Sequence, residues 1–234
     1  MISIIIPTLN EEHYLPLLLE AIKKQKFSDY EIIVSDGGSK DNTQAIARDY
    51  GCRFVSDTEH HHPAWQRNNG AAVAQGDVLV FLDADTMLQA DFLEKVIAEF
   101  YERKLSGAGF YIKFNPNRPA YNIYSFLYNI FCYPRQFFAP ASIGAGIVAR
   151  REAHEAIKGF DTGLFLAEDY DYCYRLSRLG KFRMIKSCRL LYSSRRLLKE
   201  GALKVGLKWG LMAVYTLFNF RIKKSIVKYD FGKF

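Results

Sequence analysis

The stretch Asp77-Val78-Leu79-Val80-Phe81-Leu82-Asp83-Ala84-Asp85 constrains the fold more than any other. Its unbroken apolar run has no helical period and lies between Gly76 and two carboxylates, the pattern of a strand buried on both faces. Asp83 and Asp85, at i and i+2 where the strand emerges, share one face and stand at the edge where open α/β sheets bind ligands. Two like charges there call for a cation, and hard oxygen donors suit Mg²⁺ or Mn²⁺, ions that typically also hold substrate phosphates. A plainer reading makes Asp85 a cap for the helix beginning near Asp91, or both acids solvated loop residues. The tripeptide alone leaves both readings open.

The rest of the chain supplies the context. Ile2-Ser3-Ile4-Ile5-Ile6 is β-branched and ends at Pro7-Thr8, and Asn10-Glu11-Glu12 offers a cap and first-turn acids for a helix carrying Leu15, Leu18, Leu19 and Ile22. The unit repeats with strand Glu31–Ser35, a tight turn Asp36-Gly37-Gly38-Ser39 and a helix from Asp41-Asn42-Thr43 through Ala47. A third strand, Arg53-Phe54-Val55, leads to a small-residue helix around Asn69–Gln75 and then to the inner strand. Strand and helix alternating four times predict a parallel sheet with right-handed crossovers, the site forming at the strands' carboxyl ends. Pro7–Glu11, Asp36–Ser39 and Asp83–Asp85 are expected to converge there.

A helix from Asp91 through Tyr101, a strand Gly107–Phe114 and a turn-plus-strand Ser142–Val148 follow. Between them Tyr121–Phe138 is dense in aromatics; Tyr124, Tyr128 and Phe131 fit one core-facing stripe, and the remainder suit an acceptor groove or a membrane interface. His60-His61-His62 has no ligand partners at fixed spacing and is expected in an exposed loop. Glu168-Asp169, after Gly159-Phe160-Asp161, opens a helix carrying Tyr174, Leu176 and Leu179. Asp169 there is either a first-turn or capping acid or a general base, and spacing does not choose.

Charge divides the chain. Residues 175–234 carry +14 and the first 174 carry −7, an asymmetry suited to meeting an anionic surface. Cys52, Cys132, Cys173 and Cys188 lie far apart, arguing against a zinc site or disulfide framework and for a reducing compartment. Pro7 interrupts the first apolar run and no basic region precedes it, so no signal peptide is expected and the setting read is cytoplasmic. The longest charge-free stretch near the carboxyl end, Trp209–Phe220, is too short to span a bilayer, which takes about 20 residues. An amphipathic helix there, with Trp209 and Tyr215 on or beside its apolar face and Lys204, Lys208, Arg221, Lys223 and Lys224 flanking, suits the cytoplasmic face of an anionic membrane as a peripheral anchor. Packing back onto the catalytic domain is the equal alternative. Nucleic acid is disfavoured by the apolar residues mixed into that helix.

Taken in order, these motifs resemble the family 2 glycosyltransferases of the GT-A fold. Ile4–Glu12 resembles the family's first strand and nucleotide loop, and Glu31–Thr43 its second strand and Asp-Gly-Ser-like turn. Arg67-Asn68-Asn69-Gly70 resembles the Arg-Asn-x-Gly helix start, Phe81–Asp85 the Asp-x-Asp motif, and Gly159–Asp161 with Glu168-Asp169 the acceptor-side Glu-Asp motif. The likeness runs from Met1 to about Arg183.

The resemblance implies an α/β fold with a mostly parallel central sheet flanked by helices, residues 1–194 as catalytic domain and residues 195–234 as a basic amphipathic helical extension. It implies metal-dependent, inverting transfer from a nucleoside-diphosphate sugar to a hydroxyl acceptor, a glycan or lipid-linked sugar of the cell envelope. Pro7, Thr8, Asn10, Glu11, Asp36, Arg67 and Glu168 would line the substrate site, Asp83 the ribose side, Asp85 with Asp83 the Mg²⁺ or Mn²⁺, and Asp169 would be the base. The extra glycine in Asp36-Gly37-Gly38-Ser39 departs from the usual turn, and no Gln-x-x-Arg-Trp motif is present, which favours single transfer over processive synthesis. A catalytically silent, membrane-associated scaffold of the same fold is the competing reading. A nucleotidyltransferase would want a glycine-rich loop where Pro7-Thr8-Leu9-Asn10 stands. Arg195 and Arg196 are further candidates for phosphate contact.

Overall fold

The computed structural model describes residues 1–116 and 118–217. The expected basic flank Arg221, Lys223 and Lys224, and the end of the Trp209–Phe220 stretch, lie outside the described residues. In chain order the elements are β1 (Ile2–Thr8), α1 (Leu15–Lys23), β2 (Tyr30–Asp36), α2 (Thr43–Asp49), β3 (Arg53–Ser56), α3 (Pro63–Ala72), β4 (Val78–Leu82) and α4 (Phe92–Glu102). They continue with β5 (Gly107–Asn115), α5 (Pro119–Arg135), β6 (Gly146–Arg150), α6 (Arg151–Ala156), α7 (Glu168–Ser177), β7 (Phe182–Ser193), α8 (Arg195–Glu200) and α9 (Ala202–Leu217).

The strands form one sheet of seven in the order β3-β2-β1-β4-β6-β5-β7. All neighbours pair parallel except β6, which runs against both β4 and β5. Alternation along the inner strands explains the layers. Ile2, Ile4 and Ile6 of β1 and Val78, Val80 and Leu82 of β4 enter one core, while Ile5, Leu79 and Phe81 enter the other. On the first face α1 covers the sheet with Leu15, Leu18, Leu19 and Ile22, all fully buried. Each such side chain contributes about 1.5–3 kcal/mol by leaving water.

Chain order reverses between β1 and its neighbour β4, since β2 and β3 extend outward on one side and β6, β5 and β7 on the other. That junction is a topological switch point, where a crevice opens beyond the strand ends. β6, being reversed, brings the loop that precedes it beside the end of β4, and the Asp83 N–H donates to the Ala145 carbonyl.

Several local expectations are corrected. Asn10 does not cap α1: it sits at a left-handed φ of 57°, and its side-chain oxygen accepts from the Lys40 N–H instead. The third helix begins at Pro63 rather than near Asn69, because His62 Nδ1 accepts from the Ala64 N–H and proline is favoured in a first turn. The histidine run is the expected loop but only partly exposed: His62 also pairs with the Phe165 carbonyl, His60 stacks on Trp65, and exposed His61 meets the Gly37 carbonyl. Asp85 does not cap α4; Asp91 stands at that cap and pairs with Lys95. Strand β7 and helix α6 are additions to the elements read from sequence. In β7 the pairing with β5 slips between Phe110 and Ile112, so that Lys186-Ser187-Cys188-Arg189 bulges out and breaks the two-residue period.

Candidate active site

A cavity of about 230 Å³ lies beyond the ends of β1 and β4. Pro7, Thr8 and Glu11 follow β1 into its wall, Asp83 and Asp85 follow β4, and Glu168 and Asp169 enter from the first turn of α7. Helix α3 adds Arg67, which the family resemblance implied for the nucleotide side. Asn10 and Asp36 do not line it. Both oxygens of Asp36 are engaged within the protein, accepting from Thr8 Oγ1 at 2.8 Å, from the Gly38 and Ser39 N–H groups, and from Ser39 Oγ. Gly38 holds a φ of +84°, so the extra glycine of this turn serves a left-handed position. Ser39 Oγ in turn accepts from the Asn10 N–H. Asp36 and Asn10 thus shape the loop that presents Thr8 and Glu11.

Two guanidinium groups organise the acids. Arg67, 3% exposed, donates to Asp83 Oδ1 at 2.9 Å and to Glu168 Oε1 at 3.0 Å. It joins the end of β4 to the start of α7. A Cβ on Gly144 would come within 2.3 Å of Arg67 Nη2, so any side chain there would displace the guanidinium from its two acids. Burial works against the charge on Arg67, but Asp83, Glu168 and Asp169 outweigh it and raise its pKa. Arg195, at the start of α8, donates bidentately to Glu11 at 2.8 and 2.9 Å, and its Nε reaches Asp85 Oδ2 at 2.9 Å.

Asp169 accepts from the Gly144 N–H at 2.7 Å and the Tyr170 N–H at 2.8 Å. Burial pushes its pKa well above the usual carboxylate range and Glu168 pushes further, against the pull of Arg67 and the two N–H donors. A carboxyl held nearer neutrality is what a general base needs. Asp85 is pushed up to about 6, chiefly by burial, with Asp83 and Glu11 adding and Arg195 opposing. Glu11 is likewise raised by burial against Arg195.

Five carboxylates, Glu11, Asp83, Asp85, Glu168 and Asp169, against three guanidinium groups, Arg67, Arg195 and Arg196, leave an excess of negative charge with hard oxygen donors, which fits a divalent cation. Among the described residues no three acids, histidines or cysteines come together as a complete ligand set. Asp85 and Asp83 therefore fit an ion that draws further oxygens from a bound diphosphate, as Mg²⁺-type sites do.

Residues outside the expected set also reach the cavity: His61 beside α3, Tyr192 at the end of β7, and Trp209 and Met212 on α9. Trp209, read as belonging to a lipid-facing stripe or a packed one, stacks at 6.2 Å on Phe114 of β5. Val205, Trp209 and Met212 at i, i+4 and i+7 form the signal for this inward stripe, distinct from Leu203, Leu207 and Leu211 outside.

This sheet, with its switch-point cavity, is the fold of GT-A glycosyltransferases: a mannosyltransferase from Pyrobaculum calidifontis in complex with GDP-Man and Mn²⁺ superposes with a TM-score of 0.68 at 22% identity, over 79% of this chain and 54% of that one. The glycosyl transferase family 2 model matches residues 3–157, and the chain belongs to that family. An uncharacterized glycosyltransferase of Haemophilus influenzae is 27% identical over 80% of the chain and 65% of its own length. A PGL/p-HBAD biosynthesis glycosyltransferase of Mycobacterium bovis is 38% identical over 45% of the chain and 44% of its own length. The chain thus spans about half to two thirds of these relatives. Glu168 and Asp169 lie beyond the matched stretch, and the cavity geometry is what joins them to it.

Proposed function

We propose that the chain transfers a single sugar from a nucleoside-diphosphate sugar to a hydroxyl acceptor, with inversion at the anomeric carbon. The observation carrying this reading is one cavity in which Asp83 and Asp85 face Asp169, with Arg67 tying the two sides together. Thr8, Glu11 and Arg67 would border the nucleotide and Asp83 the ribose, and Asp85 with Asp83 would hold a Mg²⁺ or Mn²⁺. The ion, when bound, offsets the charge developing on the diphosphate leaving group as a Lewis acid.

Asp169 would take the proton of the acceptor hydroxyl as that oxygen bonds to the anomeric carbon. The bond from that carbon to the phosphate oxygen breaks in the same displacement, and the nucleoside diphosphate leaves. The Gly144 and Tyr170 N–H groups fix the direction of the carboxylate while this happens. Support for the donor and metal comes from the GDP-Man and Mn²⁺ bound to the Pyrobaculum protein of the same fold. The acceptor is read as lipid-linked or of the cell envelope, and what supports this is the PGL/p-HBAD biosynthesis named for the mycobacterial relative.

Thermal unfolding against UDP-, GDP-, CMP- and dTDP-sugars, with and without Mn²⁺ or Mg²⁺, tests the reading, because a ligand of the folded state raises Tm. One nucleotide class should give a metal-dependent rise that Asp85→Ala abolishes. Asp169→Asn should keep the rise while turnover drops about 10²–10⁴-fold. No rise with any sugar nucleotide would overturn the proposal in favour of a silent scaffold.

A further inference from the structure

Helix α5 presents two unlike faces. Tyr121, Tyr124 and Tyr128 turn into the core, whereas Ile123, Phe126, Leu127, Ile130 and Tyr133, with Phe137 and Phe138 just beyond the helix, are each between 53 and 66% exposed. Exposed apolar side chains scattered singly need no explanation, but a contiguous stripe of this kind marks an interaction surface.

Helix α9 extends the surface. It lies against α5 where Gly206 meets Tyr124, whose ring also stands edge-on to Trp209 at 6.4 Å. With Val205 and Trp209 packed inward, Leu203, Leu207, Leu211 and Val214 form a second exposed stripe on the adjacent helix. A helix that is apolar on both its inner and outer faces has a non-aqueous medium on each side. Neither α5 nor α9 contains an Asp or Glu.

A groove of about 790 Å³ runs between α5 and the β5–β7 pair. Its walls are mainly apolar, from Tyr111, Phe126, Ile130 and Tyr133. The cations lining it are Lys113 from β5 and Lys186 and Arg189 from the β7 bulge, all exposed; no carboxylate is among its described lining residues, and Glu99 beneath the bulge is engaged by the Lys186 and Ser187 N–H groups and by Arg103. The bulge is what turns an edge strand's basic side chains toward an apolar helix.

We infer that the outer faces of α5 and α9 dock on an anionic phospholipid bilayer, with a lipid phosphate seated in the groove between α5 and the β7 bulge. Charge complementarity selects this occupant: three cations lining an apolar groove, with Glu99 already engaged by the bulge backbone and Arg103, match a phosphate carried on acyl chains, and basic residues beside an apolar helical face favour an anionic leaflet. The aliphatic stripes fit neither a duplex nor a single-stranded nucleic acid. The inference stands without the proposed transfer reaction. Ile112 lines both the groove and the catalytic cavity, so a docked protein holds its active site close to the leaflet.

The test is co-sedimentation of the full chain with vesicles of phosphatidylcholine alone and of phosphatidylcholine with phosphatidylglycerol. Wild type should bind the mixed vesicles and bind neutral ones at least tenfold more weakly. Phe126→Glu/Ile130→Glu and, separately, Lys186→Glu/Arg189→Glu should each weaken binding at least tenfold, with the wild-type melting temperature kept. A dye on Ile130→Cys should shift to the blue with mixed vesicles, reporting burial independently of the charge changes. Full binding retained by either double variant, equal binding to neutral vesicles, or no binding by wild type would overturn the inference. So would a stable dimer in sedimentation velocity that Phe126→Glu/Ile130→Glu dissociates while vesicle binding is unchanged, since a second copy would then cover the face.

Discussion

Arg67 and Arg195 make the same chemical arrangement in two settings. Each guanidinium bridges two carboxylates across the cavity, Arg67 joining Asp83 to Glu168 and Arg195 joining Glu11 to Asp85. Arg67 is 3% exposed and confined by Gly144, while Arg195 is 20% exposed on a six-residue helix at the cavity wall. The difference separates a strut from an exchangeable counter-ion. Removing the strut leaves buried Glu168 and half-buried Asp83 without a counter-charge, whereas the second pair can take another cation in place of Arg195.

The largest expected effect falls on the strut. Arg67→Met should cost about 3–5 kcal/mol in urea unfolding, because Asp83 and Glu168 lose a buried partner. A loss of about 2 kcal/mol or less would place Arg67 on the same footing as Arg195.

Next comes Asp85. A carboxyl whose folded pKa is raised contributes stability that is present below its unfolded value, near 4, and lost as pH rises through about 6. Relative to Asp85→Asn, wild-type unfolding free energy should therefore fall by about 2–3 kcal/mol between pH 4 and pH 7. Parallel pH profiles for the two proteins would show that Arg195 fully compensates the burial.

The smallest effect is expected at Arg195 itself. Arg195→Gln should cost about 1–2 kcal/mol, between an exposed and a buried ion pair. Mn²⁺ without nucleotide should then raise Tm more in the variant than in wild type, since Glu11 and Asp85 no longer hold a competing cation. An equal or smaller rise would make Arg195 a second strut.

What the sequence disclosed follows the same division. The donor side was legible because its signals are local: Ile2–Ile6 and Val78–Leu82 are continuous apolar strands, and Asp83 and Asp85 follow directly. Arg67 was legible through its motif but not its partner, since the ion pair to Glu168 spans a sequence separation of 101. Strand β7 was hidden because its bulge interrupts alternation, and α3 because capping by His62 and Pro63 outranks its weak apolar pattern. The loop contacts of Asp36 and Asn10 also escaped, since they join residues 28 and 30 positions apart in sequence.

The reversed strand β6 has a consequence for assembly. Strands β1 to β4 pair within the first third of the chain, but the other edge of β4 is closed only by β6, and β5 must wait for β7. Long-range pairings of this kind form late, because the intervening chain must be ordered before they reward it. The loop carrying Gly144, which orients Asp169, enters with β6. A nascent chain therefore completes β1 to β4 well before the Gly144 N–H is there to orient Asp169, so on the proposed function a half-made protein would lack the proton acceptor with which to misuse a sugar nucleotide.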